Sequence, residues 1–152
     1  MKLKKLLIGL IAFLMFASPS FAQSFGIRLG YPIGVQYSSA NPGKQGTGFR
    51  VAIESFFFAN VQVQADLMLG QIELAKGTPL TLFYGAGLHA GFGFAGSYFF
   101  VGPQGTLGLE YLLQPSISLF LDWSLGLDLQ FGTGLNLIGF YYGGAFGISF
   151  KV

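Results

Sequence analysis

The strongest constraint on the fold is a period of two in residues 114–129. The odd positions from 117 onward are all apolar, and the even positions include Asp122 and Asp128. Successive side chains of a β-strand point to opposite faces, whereas residues two apart on a helix lie ~200° apart. The pattern therefore predicts a strand with one apolar face and one face that carries carboxylates, which is typical of a transmembrane β-strand.

The same alternation recurs along the chain, in runs that are separated by turn signals and polar segments. Asn41-Pro42-Gly43 marks one turn, residues 73–79 form the most polar segment, and the glycine-rich residues 130–140 are predicted to form a loop. The alternating runs cover residues 24–38, 49–57, 61–69, 80–94, 99–112, 117–129 and 142–152.

Seven alternating runs are visible, but a bacterial single-chain barrel needs an even number of strands to close without free edges. The prediction is therefore eight strands, with one run divided or one strand missed. The first run is expected to break at Tyr31-Pro32-Ile33, since proline cannot donate a hydrogen bond from a strand interior. The alternative places the missing strand within residues 130–140. The predicted fold is all-β: an antiparallel, up-and-down transmembrane β-barrel with strands of about 9–11 residues.

The composition argues against a soluble β-sandwich with the same strands. Only 9% of the residues are charged, against about 25% in ordinary soluble domains. In a soluble β-sandwich the polar faces of the strands would form the outer surface, and they hold too few charges to keep the protein in solution. The chain also has no cysteine, which excludes thiolate metal sites and the lipid-modified cysteine of a bacterial lipoprotein.

The first 22 residues have the three parts of a secretory signal peptide. Lys2, Lys4 and Lys5 precede an apolar run at residues 6–16, and Ser20-Phe21-Ala22 places small residues before a cleavage site. The alternative is an uncleaved anchor, but the run is shorter than the ~20 residues that a helical span needs. We therefore expect a signal peptide at residues 1–22, cleaved near Ala22, and one barrel domain at residues 23–152 in the bacterial outer membrane.

Removing the signal peptide changes the charge balance of the protein. Five basic side chains then remain against six acidic ones, which gives a net charge of −1 instead of +2. The sequence pI of about 8.9 belongs mostly to the removed segment. It therefore gives no reason to expect nucleic-acid binding.

Residues 77–109 contain no Asp, Glu, Lys or Arg and invite two other interpretations. A hydropathy scan would indicate a transmembrane helix, and Gly91-Phe-Gly93-Phe-Ala-Gly96 matches a dinucleotide-binding fingerprint. Each glycine would cost a helix ~1 kcal/mol. The fingerprint lacks both its strand-to-helix context and the acidic residue about 20 positions further on. Both interpretations are therefore rejected in favour of strands.

The inward faces of the predicted strands collect polar side chains. An eight-stranded barrel is just wide enough for side chains to fill it, so buried charges there must pair. We expect a structural network that packs the lumen, with space left by inward glycines, and a gated narrow conduit is the alternative. One histidine with dispersed carboxylates lacks the spacing of a metal site. The expected network consists of Arg28, Arg50, Glu54, Asp66, His89, Gln104, Glu110, Asp122 and Asp128.

Four phrases in the chain resemble those of small bacterial outer-membrane barrels of the OmpA/OmpX kind. They are Gly26-Ile-Arg-Leu-Gly-Tyr31, Tyr84-Gly-Ala-Gly-Leu-His89, Gly108-Leu-Glu-Tyr111 and Leu119-Phe-Leu-Asp-Trp123. The resemblance spans nearly all of the chain after the signal peptide. It implies an eight-stranded barrel and an outer-membrane location, and it carries no catalytic assignment.

A lipid A-modifying barrel enzyme is a rival interpretation that centres on His89. Barrel deacylases of lipid A pair a histidine with a serine two residues later, but here the sequence is His89-Ala90-Gly91. Barrel palmitoyltransferases use a histidine near one rim, whereas His89 is predicted to lie in mid-strand. We therefore expect a non-enzymatic protein without a cofactor.

The last strand has the aromatic, alternating pattern that the outer-membrane assembly machinery recognises. The familiar form ends on phenylalanine, whereas here phenylalanine stands two residues before the end. The expected partners are this machinery and the outer-membrane lipid, and the barrel is expected to be a monomer that binds no nucleic acid. The proposed signal consists of Phe146, Ile148, Phe150 and Val152.

Overall fold

The computed structural model of the protein describes residues 23–39, 48–57, 59–132 and 137–151. Eight strands form one sheet in which each strand pairs antiparallel with the next and the last pairs with the first. The chain is therefore all-β, and the prediction of a closed, eight-stranded antiparallel barrel is confirmed. The strands are β1 (Ser24–Tyr31), β2 (Ile33–Ser38), β3 (Gly48–Ser55), β4 (Asn60–Glu73), β5 (Leu80–Gly93), β6 (Tyr98–Gln114), β7 (Ile117–Phe131) and β8 (Leu137–Lys151).

The first alternating run is a tight hairpin that turns at Pro32. β1 ends at Tyr31 and β2 begins at Ile33, with Arg28 opposite Gly34. Pro32 therefore lies between the strands, where no ladder hydrogen bond requires its missing N–H. The predicted break at this proline is confirmed, and the alternative that placed a whole additional strand within residues 130–140 is wrong.

The predicted loop at residues 130–140 was too long. β7 continues to Phe131 and β8 already begins at Leu137, so the last strand starts five residues before the predicted Tyr142. Gly139 does not interrupt the ladder, because it still pairs with Asp128 on β7.

A bulge in β4 extends that strand beyond its predicted end at Leu69. The register with β5 shifts between Met68 and Gly70, so Gln71 follows Met68 on the lumen side and is buried. The extra residue of a bulge exchanges the two faces of the strand. The regular alternation therefore stops at the bulge, although the strand itself runs on to Glu73.

The eight strands differ in length, and this departs from the uniform 9–11 residues expected. β1, β2 and β3 have 6–8 residues, whereas β4 to β8 have 14–17. The barrel wall is therefore lower on one side. We call the end that holds Ser24 and Lys151 the terminal end, and the end that holds the Pro32 turn the far end.

The two faces of the barrel wall have opposite polarity. Many large apolar side chains on the outer face are 38–86% exposed, whereas most of the buried side chains on the inner face are polar or charged. Met68, Phe83 and Phe120 form a small apolar cluster inside. The described interior is therefore mainly polar, and it lies within an apolar shell.

Among the described residues, no helix is long and apolar enough to cross a membrane.

Gly87 provides a test of the close strand packing around the lumen. It pairs with Asp66 on β4 and Gln104 on β6, and a Cβ atom there would lie 2.1 Å from the Ala65 carbonyl oxygen. We expect Gly87→Ala to lower the free energy of unfolding by about 1–3 kcal/mol, because backbone must move to admit the methyl group. Urea unfolding in lipid vesicles, followed by the fluorescence of Trp123, measures this change.

Gly105→Ala is the matched control for this prediction. The nearest atom to a Cβ at Gly105 is 4.0 Å away, so we expect a change within about 0.5 kcal/mol. Equal unfolding midpoints for the two variants would contradict the close packing at Gly87.

Candidate functional site in the barrel lumen

Arg28 holds two carboxylates together in the middle of the lumen. Its Nη1 and Nη2 donate to Asp122 Oδ2 and Oδ1, each at 2.8 Å, and its Nε lies 2.5 Å from Glu54 Oε1. Nη1 also donates to Gln36 Oε1 at 2.7 Å. The fork of a guanidinium matches a carboxylate with two parallel hydrogen bonds. Arg28 on β1 therefore fixes the position of Asp122 on β7, which is two strands away around the barrel.

Arg50 reaches Asp122 from a second strand. Its Nη1 donates to Asp122 Oδ2 at 2.6 Å, and its Nη2 donates to Asp66 Oδ2 at 2.7 Å. The order of contacts is therefore Glu54, Arg28, Asp122, Arg50, Asp66, and we call these five side chains the ion network. Each is at most 3% exposed.

The ion network holds three carboxylates against two guanidinium groups, and neutral donors complete the shells of the carboxylates. Gln104 Nε2 donates to Asp66 Oδ1 and Gln62 Nε2 donates to Glu54 Oε2, each at 2.7 Å. Thr106 Oγ1 lies 3.3 Å from Asp66 Oδ2. Charges this deeply buried are tolerated only when ion pairs and hydrogen bonds satisfy them, and here both are present.

Two aromatic rings lie beside the guanidinium groups. The Arg28 Cζ atom is 5.7 Å from the centre of the Phe120 ring, and the Arg50 Cζ atom is 5.9 Å from that of Phe83. Both distances fall within the range of cation–π attraction. Two rings of the apolar cluster therefore contact the ion network from the terminal side of the lumen.

His89 and Asp128 form a separate contact towards the far end. His89 Nε2 contacts Asp128 Oδ1, and the imidazole ring stacks on Tyr141 with centroids 4.2 Å apart. The Tyr141 hydroxyl in turn accepts hydrogen bonds from Gln62, at 3.0 Å, and from Gln64. His89 is thus connected to the ion network only indirectly, through Gln62.

Glu110 lies apart from the other predicted residues, near the terminal end. It is half-buried and accepts a hydrogen bond of 2.5 Å from Ser118 Oγ. The structure therefore brings six of the nine predicted lumen residues into one group, the ion network and Gln104. His89, Asp128 and Glu110 also face the lumen, but they lie at other heights along the barrel.

Several lumen residues with structural contacts were not among the predicted set. Gln36 and Thr106 occupy inward positions of correctly assigned runs. Their parity, which means their odd or even position in the alternating run, could therefore have identified them. Tyr141 could not be identified in this way, because it precedes the predicted start of the last strand.

The described residues contain no group of three or more His, Cys, Asp or Glu side chains that could hold a metal ion.

Two cavities lie on either side of Asp122. One of about 30 Å³ lies towards the terminal end beside Glu110, and one of about 140 Å³ lies at the far end beside Asp128.

Neither the protein-family models nor the curated proteins compared with this chain match it. The resemblance to OmpA/OmpX-like barrels therefore rests on the sequence phrases and stays a prediction. Two of those phrases supply residues of the ion network, Arg28 from the first and Asp122 from the last.

Arg28→Ala tests whether the ion network stabilises the barrel. We expect it to lower the free energy of unfolding by about 3–5 kcal/mol, because Glu54 and Asp122 would lose a buried partner. Urea unfolding in lipid vesicles measures this loss. The double variant Arg28→Ala/Asp122→Ala should lose less than the sum of the two single variants.

Lys151→Ala is the matched control, since Lys151 is basic but exposed at the terminal end. We expect it to change the free energy of unfolding by less than about 0.5 kcal/mol. A wild-type unfolding midpoint for Arg28→Ala would rule out a stabilising network.

Proposed function

We propose that the chain is an integral β-barrel protein of a bacterial outer membrane, with a structural or surface-interaction role and a packed polar lumen. The observation that carries the proposal is the apolar outer face of a closed barrel. Each strand contributes an exposed, large apolar side chain to this belt. Examples from β1 to β8 are Leu29, Val35, Ile53, Leu67, Leu88, Leu107, Leu125 and Phe146.

The distribution of charge supports a lipid-facing belt. The exposed charged side chains among the described residues are Glu73, Lys76 and Lys151, and all three lie at the terminal end. A contiguous apolar surface of this extent is unfavourable in water. In a bilayer the same surface is favoured, while charged residues are stable only near the interfaces.

On the taller side of the barrel, the strands are long enough to cross a bilayer. A strand of 15 residues, such as β7, covers about 40 Å along the barrel axis at ~3.4 Å per residue and a ~40° tilt. The hydrocarbon core is ~30 Å thick. On the shorter side, exposed Tyr31 is the last residue of β1, and exposed Phe57 continues the apolar surface beyond the end of β3.

The predicted targeting features support the same location. Phe146 and Phe150 are exposed on the outer face of β8, where an assembly machinery could bind them. Ile148 lies on the same face and is partly exposed. Val152 and the predicted signal peptide lie outside the described residues. Together these features suggest export, removal of the signal peptide near Ala22 and insertion as a monomer into outer-membrane lipid.

A packed lumen argues against the rival interpretation of a narrow channel. The hydrogen bonds of the ion network cross the interior between β1, β3, β4 and β7. A permeating ion would have to displace these contacts. We propose a non-enzymatic role for the same reason, because the polar side chains of the lumen are engaged with one another.

Heat-modifiable gel mobility tests the membrane-barrel proposal. The outer-membrane fraction is run with and without boiling, and the unboiled protein is expected to migrate differently because a folded barrel resists detergent. A soluble periplasmic protein serves as the fractionation control. Identical migration, together with solubility in the absence of detergent, would overturn the proposal.

Single-channel recording tests the packed lumen. We expect no stable conductance steps from the purified wild-type protein in planar bilayers, because the ion network obstructs the lumen. An open porin reconstituted in the same way is the positive control. Stable steps that depend on the amount of protein would establish the channel interpretation instead.

A further inference from the structure

The cavity at the far end lies at a notch in the barrel wall. β8 pairs with β7 from Leu137 onward, but it pairs with β1 only from Gly144 onward. Along residues 137–143, β8 therefore pairs with β7 alone among the described strands. The cavity of about 140 Å³ is lined by residues of both faces, including buried Gln62 and the exposed Phe140. It thus connects the polar lumen with the apolar outer surface.

Aromatic side chains make up much of the cavity lining. Tyr31 and Phe56 meet edge to face with centroids 4.4 Å apart, and Tyr98 and Phe100 lie 6.0 Å apart. Phe140 also lines the cavity and is 86% exposed. The electron-rich faces of such rings attract organic cations.

Asp128 is the one charged side chain among the described residues that line this cavity. Its side chain is 13% exposed, and the titratable group that faces it is His89, from β5. A cation that enters the cavity would therefore meet a carboxylate and no competing lysine or arginine from the described lining.

The amide oxygens beside Asp128 have unused hydrogen-bonding capacity. Gln62 Oε1 and Asn60 Oδ1 both belong to residues that line the cavity, and both atoms are buried without a hydrogen-bond partner. Gln62 is 1% exposed, and its amide nitrogen is already used by Glu54 and Tyr141. These two oxygens can therefore still accept hydrogen bonds, and a complementary ligand would bring N–H groups as well as positive charge.

We propose that the far-end cavity binds the primary ammonium group of an organic amine. The ammonium would lie against Asp128 and the two amide oxygens, and its carbon chain would leave through the notch along Phe140. A primary ammonium fits better than a quaternary one, because only the former has N–H donors for Gln62 and Asn60. This site goes beyond the proposed function and does not depend on membrane placement.

Isothermal titration tests this site with the folded protein in neutral maltoside micelles, which contain neither ammonium groups nor anionic lipid. The probes are butylammonium, tetramethylammonium and butan-1-ol. We expect butylammonium to bind most tightly, tetramethylammonium more weakly and butan-1-ol least. Equal affinity for butylammonium and butan-1-ol, or no heat of binding for butylammonium, would overturn the proposal.

Two variants identify the site. Asp128→Asn should weaken butylammonium binding about tenfold or more, and Phe140→Ala about threefold, through loss of the charge and of one ring. Phe140 is almost fully exposed, so its variant keeps the test decisive even if Asp128→Asn does not fold. The controls are Glu110→Gln, a lumen acid at the terminal end, and Phe25→Ala, an exposed outer aromatic side chain at the same end. Unchanged affinity in Phe140→Ala would overturn the proposal, and so would unchanged affinity in a folded Asp128→Asn.

Competition with soluble short-chain lipids distinguishes a lipid headgroup from a free amine as the source of the ammonium group. Dihexanoyl phosphatidylethanolamine carries a primary ammonium, and dihexanoyl phosphatidylglycerol is the matched lipid without one. Displacement of butylammonium by the former alone would identify a lipid headgroup as the ligand. Binding of butylammonium without displacement by either lipid would identify a free amine. Displacement by both lipids to the same extent would overturn recognition of ammonium.

Discussion

The interior depends on the ion pairs of the Asp122 carboxylate. It accepts hydrogen bonds from Arg28 on β1 and Arg50 on β3, although it lies on β7. One acidic side chain therefore connects strands from opposite sides of the barrel. Because a strand that slips by one residue exchanges its two faces, these contacts also hold the apolar side chains of β1, β3 and β7 on the outside.

The polarity of the molecule follows from this arrangement. A soluble protein encloses apolar side chains and exposes charges, whereas here charged groups are enclosed and apolar groups are exposed. The lumen can be polar because donors and acceptors are supplied together, from Gln104 and Gln62 as well as from the arginines. The far end is different, since the amide oxygens of Gln62 and Asn60 have no hydrogen-bond partner there, and this is where we propose the ammonium site.

Much of the fold could be predicted because alternation reports directly on the two faces of a strand. Arg28, Arg50, Glu54, Asp66 and Asp122 were all assigned to the lumen by parity alone. The pairing of particular carboxylates with particular arginines could not be predicted, because parity does not give the height of a residue in the barrel.

The predicted break at Pro32 was right, whereas Pro103 lies within β6. Pro103 is tolerated where β6 and β7 have no register pair, between Val101 and Gln104, and only the three-dimensional register shows this.

The unequal strand lengths have a mechanical consequence. β1 and β2 together form the shortest hairpin of the barrel, and β1 also closes the sheet against β8. If the barrel is pulled apart by its two chain ends, the force loads the ladder between β1 and β8, which is shorter than the ladders between β5 and β8. Arg28 on β1 is bonded to Asp122 on β7. The pair that organises the lumen therefore also resists opening of the sheet between β1 and β8.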